Sequence, residues 1–110
     1  MGEKTLWFSA RLEGADFRYA TLVGAHFTKA NATGANLSFA NLQEARLYRT
    51  CLDRAELVQA NLFRADLCKA RLSDADFSGA NLYDAKFIGA QGKGTKFVGA
   101  NLTWSTLERS

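Results

Sequence analysis

Hydrophobic and polar residues recur along this chain with a period of five. In ANLFRADLCKARLSDA, residues 60–75, Ala stands at 60, 65, 70 and 75, and Leu at 62, 67 and 72. A polar residue precedes each Leu: Asn61, Asp66 and Arg71. We call the large apolar residue of each unit its centre. The small residue two positions earlier is a second inward position, and the other three point outward. Centres run from Trp7 through Leu12, Phe17, Leu22 and Phe27 to Leu107. Neither regular element suits this period. Five residues advance an α-helix by about 500°, so successive centres fall about 140° apart. In a flat strand an odd repeat throws them onto alternate faces. The chain must therefore turn a corner once per unit, each unit forming one short side of a coil.

A longer period gives the number of sides. Phe occupies the centre at 17, 27, 77, 87 and 97, positions that fall into two classes modulo twenty but scatter over three modulo fifteen. Asn41, Asn61, Asn81 and Asn101 also repeat at twenty. Four units per coil make both patterns stack. With coils about 4.8 Å apart, about five of them give a rod roughly 25 Å long.

Units such as Asn-Leu-Ser-Phe-Ala at 36–40, Asn-Leu-Gln-Glu-Ala at 41–45 and Asp-Leu-Cys-Lys-Ala at 66–70 resemble the pentapeptide-repeat family, whose pattern is A(D/N)LXX. The resemblance runs from about residue 5 to 107, and seventeen of the nineteen small-residue positions from 10 to 100 are Ala, with Thr50 and Thr95 the exceptions. It implies an all-β fold, a right-handed four-sided parallel β-helix solenoid, as one domain over residues 1–110. It implies little about function, because the family hosts many unrelated roles. Some members protect DNA gyrase by imitating DNA with a strongly acidic rod. Others are effectors that dock onto proteins.

Composition fits one solenoid stabilised by stacked neighbours: hydrophobic content is 47% and Pro is absent, as an unbroken ladder requires. No apolar run at the N-terminus is long enough for a signal peptide or a membrane span. The expectation is a cytoplasmic protein without membrane insertion. Cys51 and Cys68 fall on adjacent sides one coil apart, beyond the ~7 Å a disulfide tolerates, so free thiols in a reducing compartment are expected.

The expected core comprises Phe17, Phe27, Leu37, Leu47, Leu57, Leu62, Leu67, Phe77, Phe87 and Phe97. Both undersized centres, Ala32 and Gly92, fall on the second side, and Phe87 and Phe97 are expected to fill the space beside Gly92. A ligand cavity is the alternative. Gly89, Gly92 and Gly94 read as corners rather than a phosphate loop, since no helix pattern follows them. The Asn ladder of the fourth side is expected to hydrogen-bond amide to amide up and down the stack.

Catalytic chemistry finds no foothold. His26 is the sole histidine, and with two separated Cys it makes no metal site of recognisable spacing. Asp16, Glu56 and Asp76 share the third side, but a convex rod offers no cleft to desolvate them. The expectation is no enzyme, no metal and no cofactor.

Charge points to a partner. The formal charge is +3, concentrated on the first side, where Lys29, Arg46, Arg49, Lys69, Lys86 and Arg109 face only Asp66 and Glu108. Lys29, Arg49 and Lys69 repeat at the coil spacing, each two residues after a centre. These three with Arg46 and Lys86 form a candidate basic face for an acidic protein. The alternative is a nucleic acid or other polyanion. Gyrase modulation by DNA mimicry is disfavoured by the positive charge. Outward aromatics at Tyr19 and Phe39, and at Phe63 and Tyr83, are expected to stack in pairs. No helical cap pattern precedes Leu6 or follows Trp104. Trp7, Phe8 and Trp104 are therefore candidates for end docking, as an end-to-end homodimer or onto a partner.

Overall fold

The computed structural model describes residues 6–109. The expected start of the repeat near residue 5, and the side chains of Glu108 and Arg109, lie outside the described part. Parallel bridges join each outward residue before a centre to its counterpart twenty residues later, from Leu6↔His26 to Asn81↔Asn101. Backbone bonds run in both directions between coils. Leu57 N–H donates to Asp76 O at 2.7 Å and Gln59 N–H to Ser78 O at 2.8 Å, while Glu56 N–H reaches the preceding coil at Ala35 O, 2.9 Å away. With a turn every five residues and pairing every twenty, the coil has four sides. Its principal extents are 32 × 24 × 20 Å.

Each side is shorter than a strand. Among the described residues the pairing consists of single-residue bridges, because a turn consumes most of every unit. The small residue closes the turn on the preceding centre, as Ala60 N–H does on Leu57 O at 3.1 Å, except in the unit centred on Gly92, where the chain bends without a Thr95 N–H to Gly92 O bond. The residue two after the centre takes φ between 54° and 76° in every unit from Ser9 to Trp104, the left-handed third position of a type II turn. Thirteen of these residues are not glycine. Each left-handed L-residue costs about 1–2 kcal/mol, which the interlocking ladder must offset.

The preference for Asn or Asp before the centre has a local cause. Asn41, Asn61, Asn81 and Asn101 each accept, through Oδ1, the backbone N–H two residues on, at 3.1–3.2 Å. Asp16, Asn31, Asn36, Asp66 and Asp76 do the same. This corrects the expected amide ladder: among the described residues only Asn81 Nδ2 to Asn61 Oδ1 links two coils, at a long 3.4 Å. A short side chain holding its own turn outcompetes a contact across a coil spacing.

Burial follows position along the rod. Leu37, Leu47, Leu57, Leu62, Leu67, Phe27 and Phe77 are sealed, and Phe87 is buried. Phe17 and Phe97, expected in the core, are only half-buried because they sit in the terminal coils, where nothing covers one face. Aromatic centres gather near both ends. Trp7, Phe17 and Phe27 pack together at one, and Phe77, Phe87 and Phe97 at the other, with centroids 5.3–6.3 Å apart. The two threonines that replace Ala act alike. Thr50 Oγ1 donates to Phe27 O and Thr95 Oγ1 to Leu72 O, both at 2.6 Å.

Gly92 departs from expectation. Phe87 and Phe97 do not fill its space; they line a hollow of about 280 Å³ with Leu72, Ala90, Gly92, Thr95 and Leu107. The hollow exists because this is the last coil, so Gly92 has no next turn above it and is itself exposed. The expected absence of a helical cap is likewise corrected. A single 3-10 turn, Thr106–Arg109, follows Trp104, and Thr106 Oγ1 accepts from Phe87 N–H at 2.7 Å. Leu107 therefore lies within this turn rather than forming a further bridged centre.

Candidate functional site

The first side presents the candidate basic residues at two different corners. Lys29, Arg49 and Lys69 occupy the left-handed position of successive coils, with φ of 63°, 58° and 60°. That position turns them toward the second side, and all three are exposed. Arg46 and Lys86 sit one residue before their centres, on the edge toward the fourth side. Asp66 stands between them in the same column, bridged to both.

The surroundings of the two corners differ in charge. Arg46, Lys86 and Arg64 share a hollow of about 480 Å³ with Glu44 and Asp84, and Arg64 is ion-paired to Asp84 at 3.1 Å. Arg49 and Lys69 share a second hollow, about 340 Å³, with Ala70, Arg71, Gly89 and Gln91. No carboxylate lines this one. Tyr48 lies beside two of its cations: the Arg49 guanidinium carbon is 5.5 Å from its ring centre and Lys69 Nζ is 6.0 Å away. The Arg49 guanidinium, by hydrogen bonding to the phenol oxygen, holds Tyr48 below the usual tyrosine value; the charges of Arg49 and Lys69 act in the same direction, against a smaller desolvation. Arg71 was not in the candidate face, because its column belongs to the second side. Its adjacency to Lys69 across Ala70 was the available signal.

The proposed docking aromatics separate likewise. Trp7 is an inward centre stacked on Phe27 at 6.3 Å, half-buried rather than presented for docking; among the described residues its indole Nε1 is a buried donor without a partner. Phe8 is exposed and leans on His26 at 5.4 Å. Trp104, also exposed, stacks on Tyr83 at 6.3 Å and extends the Phe63–Tyr83 pair into three rings. Tyr19 and Phe39 stack at 5.0 Å on the third side. In each stack the inner ring faces meet one another along the rod, while Tyr19 and Trp104 at the stack ends stay exposed.

Remaining titratable groups are held in structural roles. Asp16 is lowered to about 2 by hydrogen bonds from the Arg18 side chain and backbone, and Asp76 is lowered mainly by the Ser78 hydroxyl and N–H. Burial pushes the Cys68 thiol up, with the Asp66 carboxylate adding to it. Cys51 and Cys68 are free thiols. Among the described residues no three His, Cys, Asp or Glu side chains gather as metal ligands, and no helix is long and apolar enough to cross a membrane.

The same architecture is found in solved structures. HetL from the cyanobacterium Nostoc sp. strain PCC 7120, described as a pentapeptide repeat protein involved in heterocyst differentiation regulation, is 32% identical with a TM-score of 0.75, over 93% of this chain and 57% of HetL. Rfr23, a pentapeptide repeat protein from the cyanobacterium Cyanothece 51142, is 32% identical with a TM-score of 0.65, over 79% of this chain and 59% of its own. QnrB1, a plasmid-mediated fluoroquinolone resistance protein, shares the fold at 20% identity and a TM-score of 0.60, over 94% of this chain and 63% of its own. The chain thus spans a little under two thirds of the length of these relatives. Comparison with curated protein sequences gives no match. The family model for pentapeptide repeats matches in overlapping stretches, residues 10–49, 40–79, 60–91 and 70–109, following the same five-residue units that the turns and bridges trace. On that agreement of sequence repeat and coil geometry, this chain belongs to the pentapeptide-repeat family.

Proposed function

We propose that this chain is a right-handed quadrilateral rod of about five coils that works as a non-catalytic docking module, engaging an acidic protein through its first side. One observation carries the reading: Lys29, Arg49 and Lys69 are all exposed and stand in one column, a coil apart, at left-handed corners. Like charges roughly 5 Å apart along a rod repel, and an acidic partner relieves that repulsion. The likeness to HetL, a protein involved in regulating heterocyst differentiation, supports a regulatory binding role. Catalysis is disfavoured because the convex rod offers no cleft to desolvate the carboxylates of its third side. The free thiols accord with a cytoplasmic setting.

A nucleic-acid partner remains the second reading, supported by the same column of cations and by the formal charge of +3. Gyrase modulation is disfavoured by the sign of that charge, and the likeness to QnrB1 is one of fold. The test is capture of partners by the wild type and by a K29E/R49E/K69E variant over a salt series. Loss of the captured protein with folding intact supports the reading. Unchanged partners at unchanged salt dependence overturn it. A slope against salt that reports several released counterions assigns the partner to nucleic acid instead.

A further inference from the structure

The corner between the first and second sides holds three cations in one hollow. Arg49, Lys69 and Arg71 come from two successive coils and line about 340 Å³ with Gln91 and Gly89. The nearest ion pair is Arg71 Nη2 to Asp53 Oδ2, a loose 3.4 Å, and Asp53 does not line the hollow. By contrast, the hollow at the opposite corner of the first side already contains Glu44 and Asp84.

Gly89 explains why the space is there. Its column reads Lys29, Arg49, Lys69, Gly89, so the corner position carries a cation in three coils and nothing in the next. A Cβ at Gly89 would lie 3.1 Å from Lys69 Cγ, and a longer side chain would occupy the opening. The bare Gly89 backbone lets the Lys69 stem settle over it, and the donors around the hollow are two guanidiniums, an ammonium and an amide. Two Arg forks at different heights match the oxygens of a tetrahedral group better than a single planar carboxylate. The charge balance agrees. Asp53 already pairs loosely with Arg71, so one further carboxylate would neutralise about half of the remaining charge, whereas a phosphate monoester brings about −1.5 to −2 and three acceptor oxygens.

We propose that this corner hollow is a binding site for a phosphate group, with Arg49 and Arg71 as its forks, Lys69 as a point charge and Gln91 as a neutral donor. The site rests on the reading of the first side as a receiver of anions, but it is separable from it. Arg71 belongs to the hollow and not to the column, while Lys29 belongs to the column and not to the hollow.

The experiment is isothermal titration calorimetry of the full chain at matched ionic strength, with inorganic phosphate, a phosphoserine peptide, its Glu counterpart and acetate as probes. Phosphate and the phosphopeptide are expected to bind more tightly than the Glu peptide and acetate. Arg71→Gln and Arg49→Gln should each weaken phosphate binding about tenfold or more, as for lost bonds to a charged group, whereas Arg18→Gln, on the third side, leaves it unchanged. Tighter binding of the phosphopeptide than of inorganic phosphate assigns the group to a protein; equal binding assigns it to a free small phosphate. Both uphold the site. Heats that do not distinguish phosphate from acetate overturn it, as does binding that survives Arg71→Gln in a variant whose circular dichroism and melting are those of the wild type. If phosphate binds while K29E/R49E/K69E still captures every partner, the hollow stands and the docking column falls.

Discussion

Arg49 lies over the ring of the residue before it, its guanidinium carbon 5.5 Å from the centre of Tyr48. The turn geometry causes this contact. Tyr48 and Arg49 are the two middle residues of one turn, and the left-handed φ of 58° at Arg49 folds its side chain back across its neighbour. Lys69 approaches the same ring from the next coil. A cation over an aromatic face gains a modest electrostatic attraction, so Tyr48 helps the column hold two like charges side by side. The phenol should register the arrangement. Absorbance titration should show Tyr48 ionising below the ordinary tyrosine value near 10, and Arg49→Gln should move it upward. No movement would mean that the two side chains are apart in solution.

The middle of the rod should respond as a packed core. Leu57 is fully buried, with its coil enclosed above and below. Replacing it with Ala should cost about 2–5 kcal/mol by chemical denaturation. A loss under about half a kcal/mol would place Leu57 on the surface and make the register wrong by at least one residue.

Gly92 combines an open hollow with a blocked direction. A Cβ there would meet Leu72 C at 2.7 Å, Leu72 O at 2.9 Å and Thr95 Oγ1 at 2.8 Å. Those atoms form the 2.6 Å bond that anchors Thr95. Gly92→Ala should therefore destabilise the last coil by roughly 1–3 kcal/mol despite the empty space beside it. A raised melting temperature would show that the added carbon enters the hollow instead.

The five-residue unit, its four-sided stacking and most of the core were legible in the sequence, because each rests on a residue type that recurs at a fixed interval. Leu at every fifth position can only be buried if the chain turns that often, and Ala before it allows the coil to close. What the sequence concealed depends on where a unit lies or where a side chain points. Phe17 and Phe97 follow the same pattern as Phe77, yet lack a coil on one face. Asn61 could bond along the stack or into its own turn, and its Oδ1 in fact accepts Phe63 N–H at 3.1 Å and, more loosely, Asn81 Nδ2 at 3.4 Å. Arg71 was assigned to another side because a side count treats corners as boundaries. In the rod a corner brings Lys69 and Arg71 together.

The bond from the residue before the centre to its own turn also sets a pH dependence. Asp76 Oδ1 accepts Ser78 N–H at 2.9 Å, and its carboxyl is held below the usual value chiefly by Ser78. A carboxyl depressed in the folded state contributes stability that is present above its unfolded value near 4 and fades as pH falls through the lower folded value. Asp76→Asn keeps an acceptor in the same place, as Asn61 and Asn81 demonstrate. It should leave stability at pH 7 within about half a kcal/mol and flatten its decline below pH 4. Asp76→Ala removes the acceptor and should cost about 0.5–1.5 kcal/mol at pH 7, and less below pH 4, where the wild type has itself lost the carboxylate's contribution. Equal effects of Asn and Ala would show that the turn does not use the side chain.

The two edges of the first side should behave differently toward polyanions, although both are basic in sequence. Arg46 and Lys86 flank Asp66 in one column and share their hollow with Glu44 and Asp84. Their field is largely cancelled within the Debye length of about 8 Å at physiological salt. Lys29, Arg49 and Lys69 have no carboxylate in their column, and the hollow beside the last two adds Arg71. Elution from immobilised heparin compares the two edges with a single probe, since the salt needed to release the protein reports the cations engaged together. R46Q/K86Q should elute close to the wild type, and K29Q/R49Q/K69Q at clearly lower salt, although the first variant loses two charges and the second three. The per-charge shift is the deciding quantity. If it is the same for both, the rod binds polyanions through net charge alone, and the placement of Lys29, Arg49 and Lys69 at the left-handed corners confers no advantage over any other lysine or arginine on the surface.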